Sequence, residues 1–153
     1  MRMTVTAKPG NLQESIAARR REATQRTVQI LGQVGELGVR GATVLAPKGP
    51  TRNYVEGLDS TVRTTAGDMA VTIGARAPHS HIVERGRQPG RMPPTAKIAV
   101  IFAVPRSQAF LIARAIGRAG TRGAHVLERT ADAIRPQVHE LAAKLAREIG
   151  RLQ

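Results

Sequence analysis

The strongest constraint on the fold is a change of hydrophobic period along the chain. Leu12, Ile16, Ala23, Ile30, Val34, Leu37 and Val44 recur at steps of three, four or seven, which makes one face of a long helix. Asn11 with Glu14 three residues later reads as a capping box at its start. Ala46-Pro47 reads as its stop, because a residue before proline leaves the helical region. Unbroken over 11–46, such a helix spans about 53 Å at 1.5 Å per residue. Gly32, Gly35, Gly38 and Gly41 fall within it, each about 1 kcal/mol worse than alanine in a helix interior. They mark either a weak point or, at Gly35 and Gly38, a groove for a partner helix.

The period then falls to two. Leu58 and Val62, then Met69, Val71 and Ile73, alternate with polar residues and predict two half-buried strands joined by a turn at Ala66-Gly67-Asp68. Pro78 to Glu84 reads as a third, short extended segment, and Arg85 to Pro94 as a loop rich in Gly, Pro and Arg. Lys97 to Val104 is too short and too uniformly apolar to separate strand from buried helix. Ser107 is placed to cap a helix carrying Phe110, Leu111, Ala115 and Ile116, ended by Gly117, Gly120 and Gly123. Leu127, Ala131, Ile134, Val138, Leu141, Leu145 and Leu152 form a second amphipathic stripe. Pro136 inside it predicts a kink or a restart. The expected fold is therefore α+β: a long N-terminal helix (11–46), a small antiparallel β-sheet made of a hairpin plus a short strand (55–94), and C-terminal helices (95–153). All 153 residues are read as a single domain, with 1–10 flexible.

Composition narrows the function. Lys and Arg number 24 against 11 Asp and Glu, a net charge of +13. With 41% apolar residues the chain is too hydrophobic for a disordered basic tail. The positive field points to a polyanion or an acidic protein surface. Aromatics are only Tyr54, Phe102 and Phe110, too few for a base-stacking platform. The absence of Cys excludes disulfides, thiol nucleophiles and thiolate metal sites. Met1 to Gly10 lacks the apolar stretch of a signal peptide. The longest apolar run, Ile98 to Val104, is far too short for a bilayer, so no membrane contact is expected.

Enzyme chemistry is sparse. Lys48 follows a glycine-containing stretch, but the Gly-Lys-Ser/Thr ending of a phosphate loop is missing. His79 and His81, two apart on a presumed strand, share one face and with Glu84 suggest a metal site. A third histidine would have to come from His125 or His139. Polar edge residues are the favoured reading of all these groups. Glu128, Asp132 and Glu140, interspersed with Arg129, Arg135 and Lys144, read as a solvated ion-pair face. No nucleophile elbow is present. The chain is expected to be no enzyme, with no cofactor and no metal. The basic residues are spread instead: Arg19-Arg20-Arg21 and Arg26 on the first helix, Arg85, Arg87 and Arg91 in the loop, and Arg114, Arg118 and Arg122 at steps of four. Arginine's bidentate fork suits phosphate and carboxylate contacts.

Four signatures occur in order. They are Ala46-Pro47 with Gly49-Pro50-Thr51-Arg52; Leu58-Asp59-Ser60 with a hairpin ending Val71-Thr72-Ile73-Gly74; Ala77 through His81-Ile82-Val83-Glu84-Arg85-Gly86, closing on Arg91-Met92-Pro93-Pro94; and Phe110 to Ile116 with Gly120-Thr121-Arg122-Gly123 before a long helix. Over roughly Leu31 to Leu152 this series resembles the tail-completion (neck, head–tail joining) proteins of long-tailed bacteriophages. Two departures stand out: His79 and His81 where the family often has an aromatic, and His125-Val126-Leu127 where it often has Pro-Phe-Leu. The resemblance implies a structural virion protein, made in the host bacterial cytoplasm and located in the phage neck. It implies a homo-oligomer, a hexameric ring matching the tail tube, beside a tail terminator and a head-closure protein around the DNA channel. His81, Val83, Glu84, Gly86, Met92, Pro93 and Pro94 then form an inter-subunit motif. Arg85, Arg87, Arg91 and Arg122 contact genomic DNA or an acidic neighbour without reading bases. The rival expectation is a free basic DNA-binding protein without sequence specificity.

Overall fold

The computed structural model describes residues 9–47, 52–65 and 68–151. Lys48, Gly49, Pro50, Thr51, Ala66, Gly67, Leu152, Gln153 and residues 1–8 therefore lie outside it. The long periodic segment is one continuous helix, α1 (Pro9–Leu45), about 55 Å long at 1.5 Å per residue. It already runs from Pro9, so Asn11 stands inside its first turn rather than ahead of it. A single-turn helix, α2 (Asn53–Glu56), leads into the hairpin β1 (Leu58–Thr64) and β2 (Met69–Ala75). The strands pair antiparallel from Leu58 opposite Ala75 to Thr64 opposite Met69. Mutual Thr65–Asp68 backbone hydrogen bonds close the turn, at 2.9 and 3.4 Å.

The glycines of α1 explain why the helix tolerates them. A Cβ at Gly35 would sit 2.7 Å from Ser60 Oγ, and one at Gly38 would sit 3.0 Å from Ile73 Cγ1. The hairpin thus lies directly on the helix backbone at these two positions, where a strand face rather than a partner helix makes the close approach. Gly41 instead admits Thr130 and Ile134 from the last helix. Gly32 has open space around it and only the entropic penalty of a helical glycine. Gly32→Ala should therefore stabilise the fold by up to about 1 kcal/mol, read as a shifted midpoint in urea denaturation. An unchanged or lowered midpoint would count against a solvent-facing Gly32.

The expected third extended segment is not a strand. Residues 80–85 form α3 (Ser80–Arg85), entered by a turn in which Ser80 N–H donates to the Ala77 carbonyl at 2.9 Å. The extended piece follows it: β3 (Gly86–Arg87) pairs antiparallel with β4 (Thr121–Arg122), a two-residue ladder separate from the hairpin sheet. Lys97 to Val104, open between strand and helix, is helical in α4 (Thr95–Phe102), and α5 (Arg106–Ala119) follows. Each of these two helices is preceded by a proline, Pro94 and Pro105, whose fixed φ presets the first turn. Ser107 lies one residue inside α5, with no capping role. Gly117 is likewise inside α5, which ends at Ala119 and is capped by Gly120.

The last helix, α6 (Val126–Gly150), passes through Pro136 as one element, with no restart. Proline removes one backbone donor, but Pro136 and Asp132 are both exposed, so the carbonyl that loses its partner faces solvent. Helices α1 and α6 run antiparallel: Gly41 meets Thr130 and Ile134, and Arg26 bridges to Glu148 at 3.1 Å. The main core lies where α1, α6, α2 and the hairpin converge, around Ala42, Ala46, Tyr54, Leu58 and Val126. A second, separate core of Ile98, Ala109 and Ala113 joins α4 to α5. The architecture is α+β in the expected order, built on two cores rather than one.

Candidate functional site

The Ala77–Gly86 segment is fixed from within the chain. Val83 and Glu84 turn inward from α3, half-buried. The Val83 carbonyl accepts from Ala124 N–H at 2.7 Å, and the Glu84 carbonyl from His125 N–H at 3.2 Å. The Glu84 carboxylate takes a hydrogen bond from the Tyr54 hydroxyl and a bifurcated one from the Leu127 N–H, which lies 3.3 Å from each of its oxygens. Leu127 is in the first turn of α6, where backbone donors have no helical partner. His125, the residue flanking that turn, has φ 48° and makes no side-chain cap. Glu84 therefore caps α6 from 43 residues upstream, its charge opposite the positive end of the helix dipole. Burial first, and the Glu84 bond second, push the Tyr54 phenol well above its ordinary value.

This geometry replaces the metal reading. His79 flanks α3 and His81 lies within it, so they do not share the face of a strand. Glu84 already serves Tyr54 and α6. Among the described residues no group of three His, Cys, Asp or Glu is arranged to hold a metal ion. Of the residues matching the inter-subunit motif, Val83, Glu84 and Gly86 are engaged inside the chain, while His81, Met92 and Pro94 are exposed and Pro93 half-buried. In the His125-Val126-Leu127 stretch, Val126 is fully buried and packs in the main core.

The four candidate arginines come together through the short ladder. Gly86 pairs with Arg122 and Arg87 with Thr121. The Arg87 backbone N–H donates to Thr121 Oγ1 at 3.2 Å, and its guanidinium donates to the Arg91 carbonyl, which folds the loop back on itself. Gly90 N–H is held by the Gly117 carbonyl of α5 at 2.8 Å. Between these ties lies an open groove of about 620 Å³ lined by Arg87, Arg91, Met92, Pro93, Pro94 and Thr95. The Arg-rich loop and the Met-Pro-Pro motif thus form one surface. Arg85, Arg91 and Arg122 are exposed and make no ion pair among the described residues, a cationic cluster suited to phosphate or carboxylate oxygens.

Two features escaped the reading of residue types. From Arg85 to Leu127 the sequence holds eight Lys and Arg and not one Asp or Glu; a windowed charge count would have found it. The chain's acids sit elsewhere, several in internal pairs: Glu22 and Glu148 with Arg26, Asp59 with Arg76, Asp132 with Arg135. The other feature is apolar exposure on α4 and α5, where Phe102 is 53% and Leu111 61% exposed. No protein-family model, curated protein or solved structure matches the chain.

Proposed function

We propose that this chain is a structural protein of the phage neck, assembling as a ring at the head-proximal end of the tail and taking part in tail completion and head–tail joining around the DNA channel. The ordered series of motifs from Ala46-Pro47 to Gly120-Thr121-Arg122-Gly123 carries the proposal. The order of helix, hairpin and C-terminal helices is consistent with it. The cluster of Arg85, Arg91 and Arg122 supports a contact with DNA phosphates or an acidic neighbour. Six copies of a +13 chain make a collar whose field holds a DNA backbone without base recognition.

Electron microscopy of particles assembled without the protein tests this reading. Tails that fail to join heads are expected, and normal infectious particles lacking the protein would refute it. Changing Arg85, Arg87, Arg91 and Arg122 to Ser should lower infectious titre while the monomer stays folded. Because the Arg87 side chain also holds the loop, the triple variant that keeps Arg87 separates surface charge from loop order. Wild-type titre in both variants would remove the arginines from the assembly. The rival, a free basic DNA-binding protein, rests on the same exposed arginines. It requires duplex binding by the isolated chain, with a salt slope that falls by about 0.9 for each phosphate contact removed.

A further inference from the structure

Helices α4 and α5 form an arm with its own packing. They meet at 110° and close on one another through Ile98, Ala109 and Ala113. Ala103, at φ 50°, makes the sharp turn between them. The arm's inner surface is accounted for, but its outer one is not. Val100 is 81% exposed and Phe110 45%, alongside the exposed Phe102 and Leu111. Both phenylalanines of the chain are thus presented to solvent. On α5, Leu111, Arg114 and Arg118 occupy the side opposite buried Ala109 and Ala113, by the 100° step of the helix, and Phe110 stands at the edge of that side next to Arg114. Arg106, Arg114 and Arg118 are exposed and form no ion pair among the described residues, within a stretch that has no carboxylate.

We propose that the α4–α5 arm docks an acidic, amphipathic surface of a different protein. The charge selects the occupant. A second arm would bring arginine against arginine, and several carboxylates of this chain are already held internally by Arg26, Arg76, Arg135 and Tyr54. Nucleic acid would satisfy the arginines and leave Phe102, Phe110 and Leu111 without a partner. A helix lying on a lipid surface separates its charged face from its apolar one, whereas here Arg114 and Arg118 share the outer face with Phe110 and Leu111. Aromatic residues and arginine side by side are the chemistry enriched at protein interfaces and at their dominant contacts. The surface lies beyond the arginine cluster of the neck proposal and does not depend on it.

The probe is a synthetic helical peptide with leucines along one face flanked by glutamates, against a scrambled peptide of the same composition. Hydrogen exchange on the full chain should slow in α4 and α5 with the first peptide and not with the second. Phe110→Ser with Leu111→Ser should weaken binding at least about tenfold, and Arg114→Glu with Arg118→Glu likewise, with wild-type circular dichroism and melting in both variants. Absence of peptide binding, or binding indifferent to both pairs of changes, overturns the proposal. So does capture by phosphatidylserine vesicles, or self-association in sedimentation, that is lost with Phe110 and Leu111 while the peptide fails to bind. Failure of this binding leaves the neck proposal standing, and normal particles made without the protein leave the arm standing.

Discussion

Gly86→Ala should destabilise the protein by about 3 kcal/mol or more, enough to unfold a large share of a marginal domain. Two independent penalties coincide there. Gly86 has φ 79° and ψ −171°, a region essentially reserved for glycine. A Cβ there would also overlap the Thr121 carbonyl oxygen and sit 2.7 Å from Gly123 N. The obstacle is backbone on the opposing strand, so no rotamer change relieves it. Across the ladder, Gly120 has φ 72° and faces the Arg87 carbonyl, and Gly123 faces the Glu84 carbonyl. Gly120→Ala should approach the effect of Gly86→Ala. Gly123→Ala, with steric overlap but no positive φ, should fall somewhat below both. Urea denaturation of the three variants against Gly32→Ala measures the contrast. A Gly86→Ala protein of wild-type stability would mean that β3 and β4 do not cross as closely as described.

That crossing also shows what the sequence could and could not reveal. Helices α1 and α6 are legible because each repeats its apolar positions over many turns, and the hairpin because five apolar residues alternate. A two-residue ladder has no period, so nothing local to Arg87 announces that Thr121 lies opposite. Pro78 to Glu84 misleads for the same reason of length: in seven residues, alternation cannot be told from a single helical turn. Val83 and Glu84 point inward because α6 begins beside them, a fact that lies more than forty residues away. Pro136 predicts a kink or a restart, and the restart does not occur, because Pro136 and Asp132, whose carbonyl it orphans, both lie on the exposed side of α6. The glycines of α1 were visible, but their partner was not: Ser60 and Ile73 belong to strands rather than to another helix. The Arg-rich loop and Met92-Pro93-Pro94 were legible as motifs. Their union with Arg122 in one surface depends wholly on the ladder.

Glu84→Ala should cost about 2–4 kcal/mol, since it removes a charged cap and leaves a buried hydroxyl without an acceptor. Tyr54 is only 4% exposed, so water cannot easily replace the carboxylate. Glu84→Gln keeps the shape and one acceptor oxygen for Leu127 but loses the charge facing the α6 dipole; about 1 kcal/mol is expected. Tyr54→Phe leaves the carboxylate its Leu127 N–H donor and should cost about 1–2 kcal/mol. If the three groups act as one unit, Tyr54→Phe combined with Glu84→Ala costs less than the two changes separately. The pH dependence has a definite sign. Tyr54 is held above its unfolded value of about 10, so above that pH the unfolded chain gives up a phenolic proton that the folded chain retains. Its contribution is complete below pH of about 10 and is lost as the pH rises further. Arginine remains charged throughout that window and does not mask the effect. Denaturation at pH 8 and at pH 11 should show a smaller alkaline loss in Tyr54→Phe than in the wild-type protein. Equal losses in the two proteins would show that Tyr54 is not held by Glu84 in solution.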